Sequence, residues 1–359
     1  MKVLISNEQL YARRGTEMYV RDLALHLRER GITPLVYSPI IGAVAKEIAS
    51  FGIPVVNKLK ALPKTPDVMH LHHQVAALTP LLLYQSIPAI YLSHESVDLF
   101  GPPPLPHRYV ELASVDLRCQ ERMQRVVGEN RTIRIIHNGV DTTRFKLRSA
   151  LPSRPRRAAI FSNYVGRTEL LQNIETACHH LGLSLDVIGL ASDNAADQPE
   201  NLLGNYDLVF AKARCALEAM AAGCAVILCD VAGLGPMVTK AEVAHLRDWN
   251  FGVRLLNETP TIEALCERIA AYDAEDATAV SQYVRAEASL DRMVDKLIVL
   301  YKDVLQAPRL PSATCLQLLG EYCAQTVRSK RIRTATRDLG KAFLFRQAPL
   351  LFGLLAKHK

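Results

Sequence analysis

Short apolar runs of strand length alternate with longer amphipathic runs through most of this sequence. Such alternation is typical of strands joined by crossover helices, and it predicts parallel sheets. In the first half, the predicted strands are residues 3–6, 35–37, 55–56, 68–71, 89–92 and 133–136. In the second half they are residues 158–162, 185–188, 208–210 and 226–229. The expected fold class is therefore α/β.

Amphipathic runs fill the gaps between these strands. In the first of them, apolar residues recur at helical spacing at Met18, Val20, Leu23, Ala24 and Leu27. Thr16 is placed to cap this helix, and Gly31 follows its last turn, where a left-handed residue is useful. Further helices are predicted at residues 169–181, 213–222, 262–272, 277–288 and 290–305.

Residues 74–93 carry no formal charge and are long enough to cross a membrane. Pro80 and Pro88 argue against one span, because proline disfavours helix at the residue before it. We predict instead a helix at residues 75–84, a turn at 86–88 and a strand at 89–92.

The chain has 359 residues, enough for two domains and a remainder. Residues 144–157 contain two prolines and several arginines without apolar periodicity, which predicts an exposed linker. We expect two doubly wound, Rossmann-like domains facing across a cleft, at residues 1–150 and 151–305, with the last helix returning toward the first domain. Ligands of such folds bind outside the carboxyl ends of the strands. A basic, amphipathic helical tail is predicted at residues 306–359.

The net charge of +7 is concentrated in this tail. Residues 328–359 hold nine of the 43 Lys and Arg and one of the 36 Asp and Glu, so the rest of the chain carries −1. A near-neutral body does not fit a surface that binds duplex nucleic acid. Apolar clusters at residues 342–345 and 350–355 accompany the charge, and such a segment is attracted to an anionic membrane surface. A helix packed on the protein's own body and a segment that binds single-stranded nucleic acid are the alternatives.

The eight cysteines form no C-x-x-C pair, which excludes a zinc ribbon and a disulfide framework and favours a reducing cytosol. The first apolar run has three residues, too few for a signal peptide. The common dinucleotide, P-loop, zincin and hydrolase-elbow motifs are absent. We therefore expect a cytoplasmic protein whose cleft serves other chemistry.

Three segments carry candidate chemistry. The first is Arg14, Gly15, Thr16 and Glu17, where the start of a helix points free N–H groups at the cleft; an anion or polar sugar could bind there, or the segment is an ordinary loop and cap. The second comprises His70 and His72, which share a strand face, and His94 after the next strand. No third ligand stands at a fixed spacing, so hydrogen bonding is favoured over a metal.

The third segment, residues 212–223, is the strongest local signal. Lys212 and Arg214 follow a buried strand, where two cations suit a pyrophosphate. Glu218 on the next helix suits a ribose diol, because an ionised carboxylate accepts two hydrogen bonds. The alternative is a packed helix with an exposed Lys, Arg and Glu.

In order along the chain, residues 15–17, 66–72, 93–95, 136–141 with Phe145, and 218–227 resemble a retaining glycosyltransferase of the GT-B type, family 4. The resemblance covers residues 1–305, and Asn138, Gly139 and Asp141 belong to its more specific part as a structural motif. It implies a nucleotide-sugar donor on the C-terminal domain and a glycan or lipid-linked acceptor on the N-terminal domain. It also implies transfer with retention, no cofactor and no obligatory metal.

The resemblance also implies roles for single residues. The catalytic candidates are His94, Glu17 and Arg167. The donor-binding candidates are Arg167, Lys212, Arg214, Glu218, Ala219 and Gly189, and the acceptor-binding candidates are Gly15, Thr16 and Glu17. The linker at residues 144–157 and the helix at 290–305 are the expected hinges of domain closure. Attachment to a membrane through residues 328–359 would place the enzyme at the inner face of the cell membrane, beside a lipid-linked acceptor.

Two departures from the family pattern stand out. Phe210 occupies the place of an expected glutamate eight positions before Glu218, and no lysine follows Arg167 in its loop. Lys212 and Arg214 are our candidates to replace the missing cation. The departures keep two alternatives open, a glycosyltransferase-like binding protein without turnover and a GT-B-type nucleotide-sugar epimerase.

Overall fold

The computed structural model describes residues 1–94, 102–308, 313–314 and 316–324. In the first half the strands are β1 Lys2–Ser6, β2 Gln9–Leu10, β3 Thr33–Tyr37, β4 Ile40–Ile41, β5 Val55–Val56, β6 Val68–Leu71, β7 Ala89–Ser93, β8 Glu111–Ser114 and β9 Ile133–Ile135. The α-helices there are α1 Gly15–Glu29, α2 Ala43–Ser50, α3 Gln74–Leu83 and α4 Leu117–Val127.

Seven of these strands form a parallel sheet in the order β5-β3-β1-β6-β7-β8-β9. The interior strand β1 pairs with β3 through Leu4 and Leu35 and with β6 through Leu4 and Met69. The chain builds outward in one direction from β1 and in the other from β6, so the strand order reverses between them. This switch point creates a crevice at the carboxyl ends of β1 and β6.

The second half repeats the plan. Its strands are β10 Arg157–Phe161, β11 Ser184–Ile188, β12 Leu208–Ala211, β13 Ala225–Asp230 and β14 Gly233–Met237, in the sheet order β11-β10-β12-β13-β14. All pairs are parallel except β13 with β14. The α-helices are α5 Glu169–His180, α6 Ala213–Ala221, α7 Val243–Asp248, α8 Ile262–Ala270, α9 Ala274–Glu287 and α10 Leu290–Gln306. The switch point of this sheet lies between β10 and β12.

Helix α10 returns to the first domain. Its buried residues Leu297, Leu300 and Tyr301 belong to the same hydrophobic cluster as Val20 and Leu23 of α1. The second sheet is covered on both faces by clusters of its own. The predicted α/β fold with two Rossmann-like domains is therefore confirmed, and the last helix returns as expected.

Most of the predicted strands and helices are present, and their ends lie within about three residues of the predicted ones. The uncharged segment splits as expected into α3 and β7, and within the described part of the chain no helix is long and apolar enough to cross a membrane. The strand β8 was missed because its sequence, Glu-Leu-Ala-Ser, has no β-branched residue. The strand β14 was missed because it contains two glycines and a proline, which argue against a strand except at a sheet edge.

Two local predictions are wrong. Thr16 does not cap α1, because the helix already begins at Gly15; Arg14 is the capping position, and the Thr16 hydroxyl donates to Glu17 Oε2 at 3.1 Å. The linker at residues 144–157 is not fully exposed, because Arg144 and Arg148 are held in ion pairs with Glu200 and Asp207. Residues 316–324 of the tail are helical, and the basic segment at 328–359 lies outside the described residues.

Residues 139–141, just before the linker, cross the start of α10 in close contact. Val140 N–H donates to the Ala288 carbonyl, and Leu290 N–H donates to the Val140 carbonyl. A Cβ atom on Gly139 would lie 2.7 Å from the Leu290 Cα atom, so only glycine fits. Asp141 Oδ1 closes the following turn by accepting from the backbone N–H groups of Thr143 and Arg144 at 3.0 Å.

We expect Gly139→Ala to destabilise the protein by about 1–3 kcal/mol, because the new methyl group forces the start of α10 away from residues 139–141. Urea unfolding measures the change. Gly15→Ala is the matched control, since a Cβ at Gly15 meets nothing within 4 Å. Equal stability of the two variants would contradict this view of the crossing.

Candidate functional site

A paired lysine lies at the carboxyl edge of the second sheet. Lys212 follows β12, and its ammonium group forms an ion pair with Asp230, the completely buried last residue of β13. The Ser162 hydroxyl, directly after β10, donates to Asp230 Oδ1 at 2.9 Å. The ammonium nitrogen of Lys212 also lies 4.2 Å from the centre of the exposed Tyr164 ring. Three neighbouring strand ends thus hold one cation at the switch point.

Sequence reasoning found Lys212 but missed Asp230, Ser162 and Tyr164. The signal for Asp230 was present, because a carboxylate ends an otherwise apolar run at residues 225–230. A charge at the carboxyl end of a buried strand requires a partner, and a lysine at the end of the next strand is near enough to supply it.

Arg167 and Gly189 lie on the same edge. Arg167 precedes α5, whose N-cap is Thr168. The Arg167 side chain is exposed and forms no ion pair with the described residues. Gly189 follows β11, and a Cβ atom there would lie 1.7 Å from the Ser162 carbonyl oxygen. Glycine at 189 therefore lets the loops after β10 and β11 pack together, and Arg167 is left as a cation available to a ligand.

Helix α6 carries the remaining donor-site candidates. Arg214 Nε lies 2.7 Å from Glu218 Oε1, and the Glu218 side chain is only 7% exposed. Burial raises the pKa of Glu218, and the nearby Arg214 offsets part of this effect. Ala219 is completely buried in the core, so its methyl group contributes packing and does not face the cleft. Phe210 is buried within β12, which explains why no glutamate can act from that position.

The prediction that Arg214 replaces a missing phosphate-binding cation does not fit this arrangement. Its guanidinium group pairs with Glu218 and also with Asp22 of α1, so two carboxylates already compensate its charge. The partner in the other domain could not be foreseen, because Asp22 and Arg214 are far apart in the sequence. The structure leaves Lys212 and Arg167 nearest to the predicted role.

The first domain presents a cluster of aromatic and imidazole rings at its own switch point. The ring centres of His70 and His72 are 4.6 Å apart, those of His72 and His94 are 4.7 Å apart, and Tyr19 of α1 lies 4.5 Å from His94. His70 Nδ1 is 2.5 Å from the Tyr301 hydroxyl oxygen of α10. The predicted shared face of His70 and His72 is confirmed.

The hydrogen bonds of this cluster assign its protons. His72 Nδ1 lies 3.1 Å from the Leu92 carbonyl oxygen, which can only accept, so this nitrogen carries the proton. His94 Nε2 lies 3.1 Å from the same nitrogen and therefore accepts. Burial lowers the pKa of both rings well below the ordinary value, and both are neutral at pH 7. His94 consequently has its proton on Nδ1, from which it can donate to a ligand.

The start of α1 lies on this side of the structure. Gly15 is exposed with open space around it, whereas Glu17 is almost completely buried and its Oε1 has no hydrogen-bond partner among the described residues. Burial raises the pKa of Glu17. No group of three or more His, Cys, Asp or Glu in the described ranges is arranged to hold a metal ion. Glu95, next to His94, lies outside these ranges.

The two domains also meet beside the linker. Asn138 Nδ2 donates to Asn250 Oδ1 at 3.2 Å. Arg144 Nη1 lies 3.4 Å from Asp22 Oδ1, on the same carboxylate that Arg214 reaches from α6. Arg144 of the predicted hinge segment and Arg214 of the second domain thus meet on one carboxylate.

Comparison with known proteins places this arrangement in a class. No family model matches the sequence, and no curated protein matches it. Among solved structures, a glycosyltransferase from Rickettsia africae is 16% identical with a TM-score of 0.56, covering 86% of this chain and 99% of that one. Anabaena HepE in complex with UDP and glucose is 13% identical with a TM-score of 0.59, covering 84% and 99%.

A third match is sucrose-phosphate synthase from Thermosynechococcus elongatus, 13% identical with a TM-score of 0.55 and covering 86% of this chain and 99% of that one. Identities this low show the fold alone. The fold is GT-B, with two Rossmann-like domains whose carboxyl edges carry the groups described above.

We expect the free energy of unfolding to fall as the pH decreases below about 6.5, because the buried histidines stay neutral in the fold while those of the unfolded chain gain protons. Burial lowers the pKa of His70 to about 3, so in the folded protein this histidine is neutral throughout the measured range between about pH 5 and 6. Each such histidine contributes about 1.4 kcal/mol per pH unit.

Urea unfolding of His70→Asn between pH 5 and 6 tests this expectation. The slope of its unfolding free energy against pH is expected to be smaller than that of the wild type by the contribution of one histidine. His180→Asn, at an exposed position of α5, is the control and is expected to keep the wild-type slope. Buried Glu17 contributes with the opposite sign, so the difference between variants is the relevant quantity. Identical slopes for all three proteins would refute it.

Proposed function

We propose that this protein is a glycosyltransferase that moves a sugar from a nucleotide-sugar to a glycan or lipid-linked acceptor, with retention and without a metal ion. The observation that carries the proposal is that the Lys212–Asp230 pair and the exposed Arg167 both follow strands at the carboxyl edge of the second sheet of a GT-B fold. The UDP and glucose bound to Anabaena HepE support a donor of the same class.

The donor diphosphate would bind at the second sheet. In a front-face substitution the bond between the anomeric carbon and the phosphate oxygen breaks, and the acceptor oxygen bonds to the same face of that carbon. The acceptor proton passes to the departing phosphate oxygen. Negative charge develops on the β-phosphate, where Arg167, Lys212 and the N-terminal end of α5 are placed to stabilise it.

The first domain would supply neutral hydrogen-bonding groups. His94 is suited to donate from Nδ1 to a hydroxyl of the donor sugar, since its ring is held by His72. Gly15 leaves space for an acceptor at the start of α1, where the first backbone N–H groups of a helix have no partner within the helix. Thr16 and Glu17 would line the same acceptor side.

A nucleoside diphosphate is expected to stabilise the protein against heat, with or without a chelator. A ligand at 100 times its Kd adds about 2.7 kcal/mol, enough to raise the melting temperature by several degrees. A panel of nucleoside diphosphates at millimolar concentration tests this by thermal unfolding. A shift that disappears with chelator would contradict metal-independent binding, and the absence of any shift would contradict the donor site.

Arg167→Ala is expected to raise the donor KM about tenfold, because one charge-assisted hydrogen bond to phosphate is lost. Arg154→Ala, at an exposed linker position, is the matched control and should keep the wild-type KM. Lys212→Ala should raise the KM as well, and its fold is checked by circular dichroism because Asp230 loses its partner. Unchanged kinetics in either variant would remove that residue from the site.

The two alternatives differ in their products. Transfer releases a nucleoside diphosphate, epimerisation leaves the nucleotide-sugar intact with inverted configuration at one carbon, and a binding protein does neither. Chromatography of the nucleotide pool after incubation with a donor and a candidate acceptor separates the three.

The basic segment at residues 328–359 is proposed to attach the enzyme to an anionic membrane surface, beside a lipid-linked acceptor. Co-sedimentation of the full chain with vesicles rich in phosphatidylglycerol is expected to exceed that of a variant whose nine Lys and Arg in this segment are replaced by Gln. Equal sedimentation of the two proteins would contradict the membrane attachment.

A further inference from the structure

One carboxylate of the first domain collects cations from three parts of the chain. Asp22 lies in α1 and its side chain is only 2% exposed. Arg21 Nη1 lies 2.7 Å from Asp22 Oδ1, and Arg144 of the linker reaches the same oxygen. Arg214 of α6 forms an ion pair with Asp22 Oδ2 from the second domain. Asp22 therefore joins α1, the linker and α6 at one point.

Arg214 connects Asp22 to Glu218 of the proposed donor site. Its Nη2 faces Asp22, while its Nε lies 2.7 Å from Glu218 Oε1. A guanidinium group is planar and rigid, so fixing one edge fixes the direction of the others. The orientation of Glu218 thus depends on Arg214, and that of Arg214 depends on a residue of the other domain.

The surrounding charges make this dependence strong. Beyond Arg21 and Arg144 the network ends on Glu47 and Glu200. Burial opposes the charged form of Asp22, but Arg214, Arg144 and Arg21 outweigh it and lower its pKa, so the carboxylate is ionised at neutral pH. A buried carboxylate between three guanidinium groups has no equivalent partner to move to, and loss of its charge leaves the guanidinium groups uncompensated.

We propose that Asp22 is a positioning residue for the nucleotide-sugar subsite of the second domain, acting across the domain interface through Arg214 on Glu218. This inference rests on the proposed function and deepens it. Glu218 is held ready for the donor only while the domains keep this contact. Asp22 consequently affects donor affinity from the first domain without itself touching the donor.

The test compares the donor KM of the wild type with that of four variants. Asp22→Asn keeps the shape of the side chain and removes its charge, and it is expected to raise the donor KM about tenfold with a smaller change in kcat. Arg214→Gln should have a similar effect, and the double variant should be no worse than Arg214→Gln alone, because the two residues act in series. Glu47→Gln is the matched control, since among the described residues Glu47 reaches Asp22 through Arg21 of its own domain and makes no ion pair with Arg214.

A second measurement needs no substrate. Modification of Arg214 by phenylglyoxal, followed by peptide mass spectrometry, is expected to be several times faster in Asp22→Asn than in the wild type and unchanged in Glu47→Gln. If Asp22→Asn does not fold, Arg214→Lys keeps the charge but loses the planar fork, and it should raise the donor KM in the same way.

The outcomes separate the two ideas. A wild-type protein that binds no nucleoside diphosphate and releases none overturns the proposed function and, with it, the role of Asp22. An active wild type whose donor KM is the same in Asp22→Asn overturns the positioning role alone. Additive effects in the double variant also overturn it, because they would show that Asp22 does not act through Arg214.

Discussion

A buried charge must be paired, and this requirement fixes the positions of the main charged side chains in the candidate site. Asp230 and Asp22 are both almost completely buried, and each lies where side chains from several elements converge. The lysine or arginines that meet each carboxylate compensate its burial. Pairing therefore fixes Lys212 at the edge of one sheet and Arg214 at the domain interface. The rest of the proposed donor site is arranged around these two contacts.

The two domains accommodate their buried polar side chains in different ways. In the second domain, Lys212 and Arg214 pair with the carboxylates Asp230 and Glu218, and basic side chains at this edge suit a diphosphate. The first domain keeps its imidazoles neutral, and burial lowers the pKa of His94 and His72 far enough to hold them so. Neutral rings with assigned protons suit the hydroxyl groups of a sugar. The division of labour proposed for donor and acceptor follows from this contrast.

Domain coupling rests on contacts along one side of the interface. Gly139, just before the linker, is in close contact with Leu290 at the start of α10. Helix α10 then packs into the core of the first domain. Asp22 and Arg214 add a polar contact beside the linker. In the proposed enzyme, domain closure on the donor would pivot here, and the contacts that stabilise the interface would also set the geometry of the proposed donor subsite.

Local patterns determined much of this protein from the sequence alone. Apolar periodicity predicted the α/β class and most strands and helices, because these depend on neighbouring residues. Strand ends also pointed to Lys212 and His94, since parallel sheets gather their carboxyl ends at one edge. Pairing between distant residues was decided only by the tertiary structure. Asp22 and Arg214 are 192 positions apart, and no local pattern records that they share a buried ion pair.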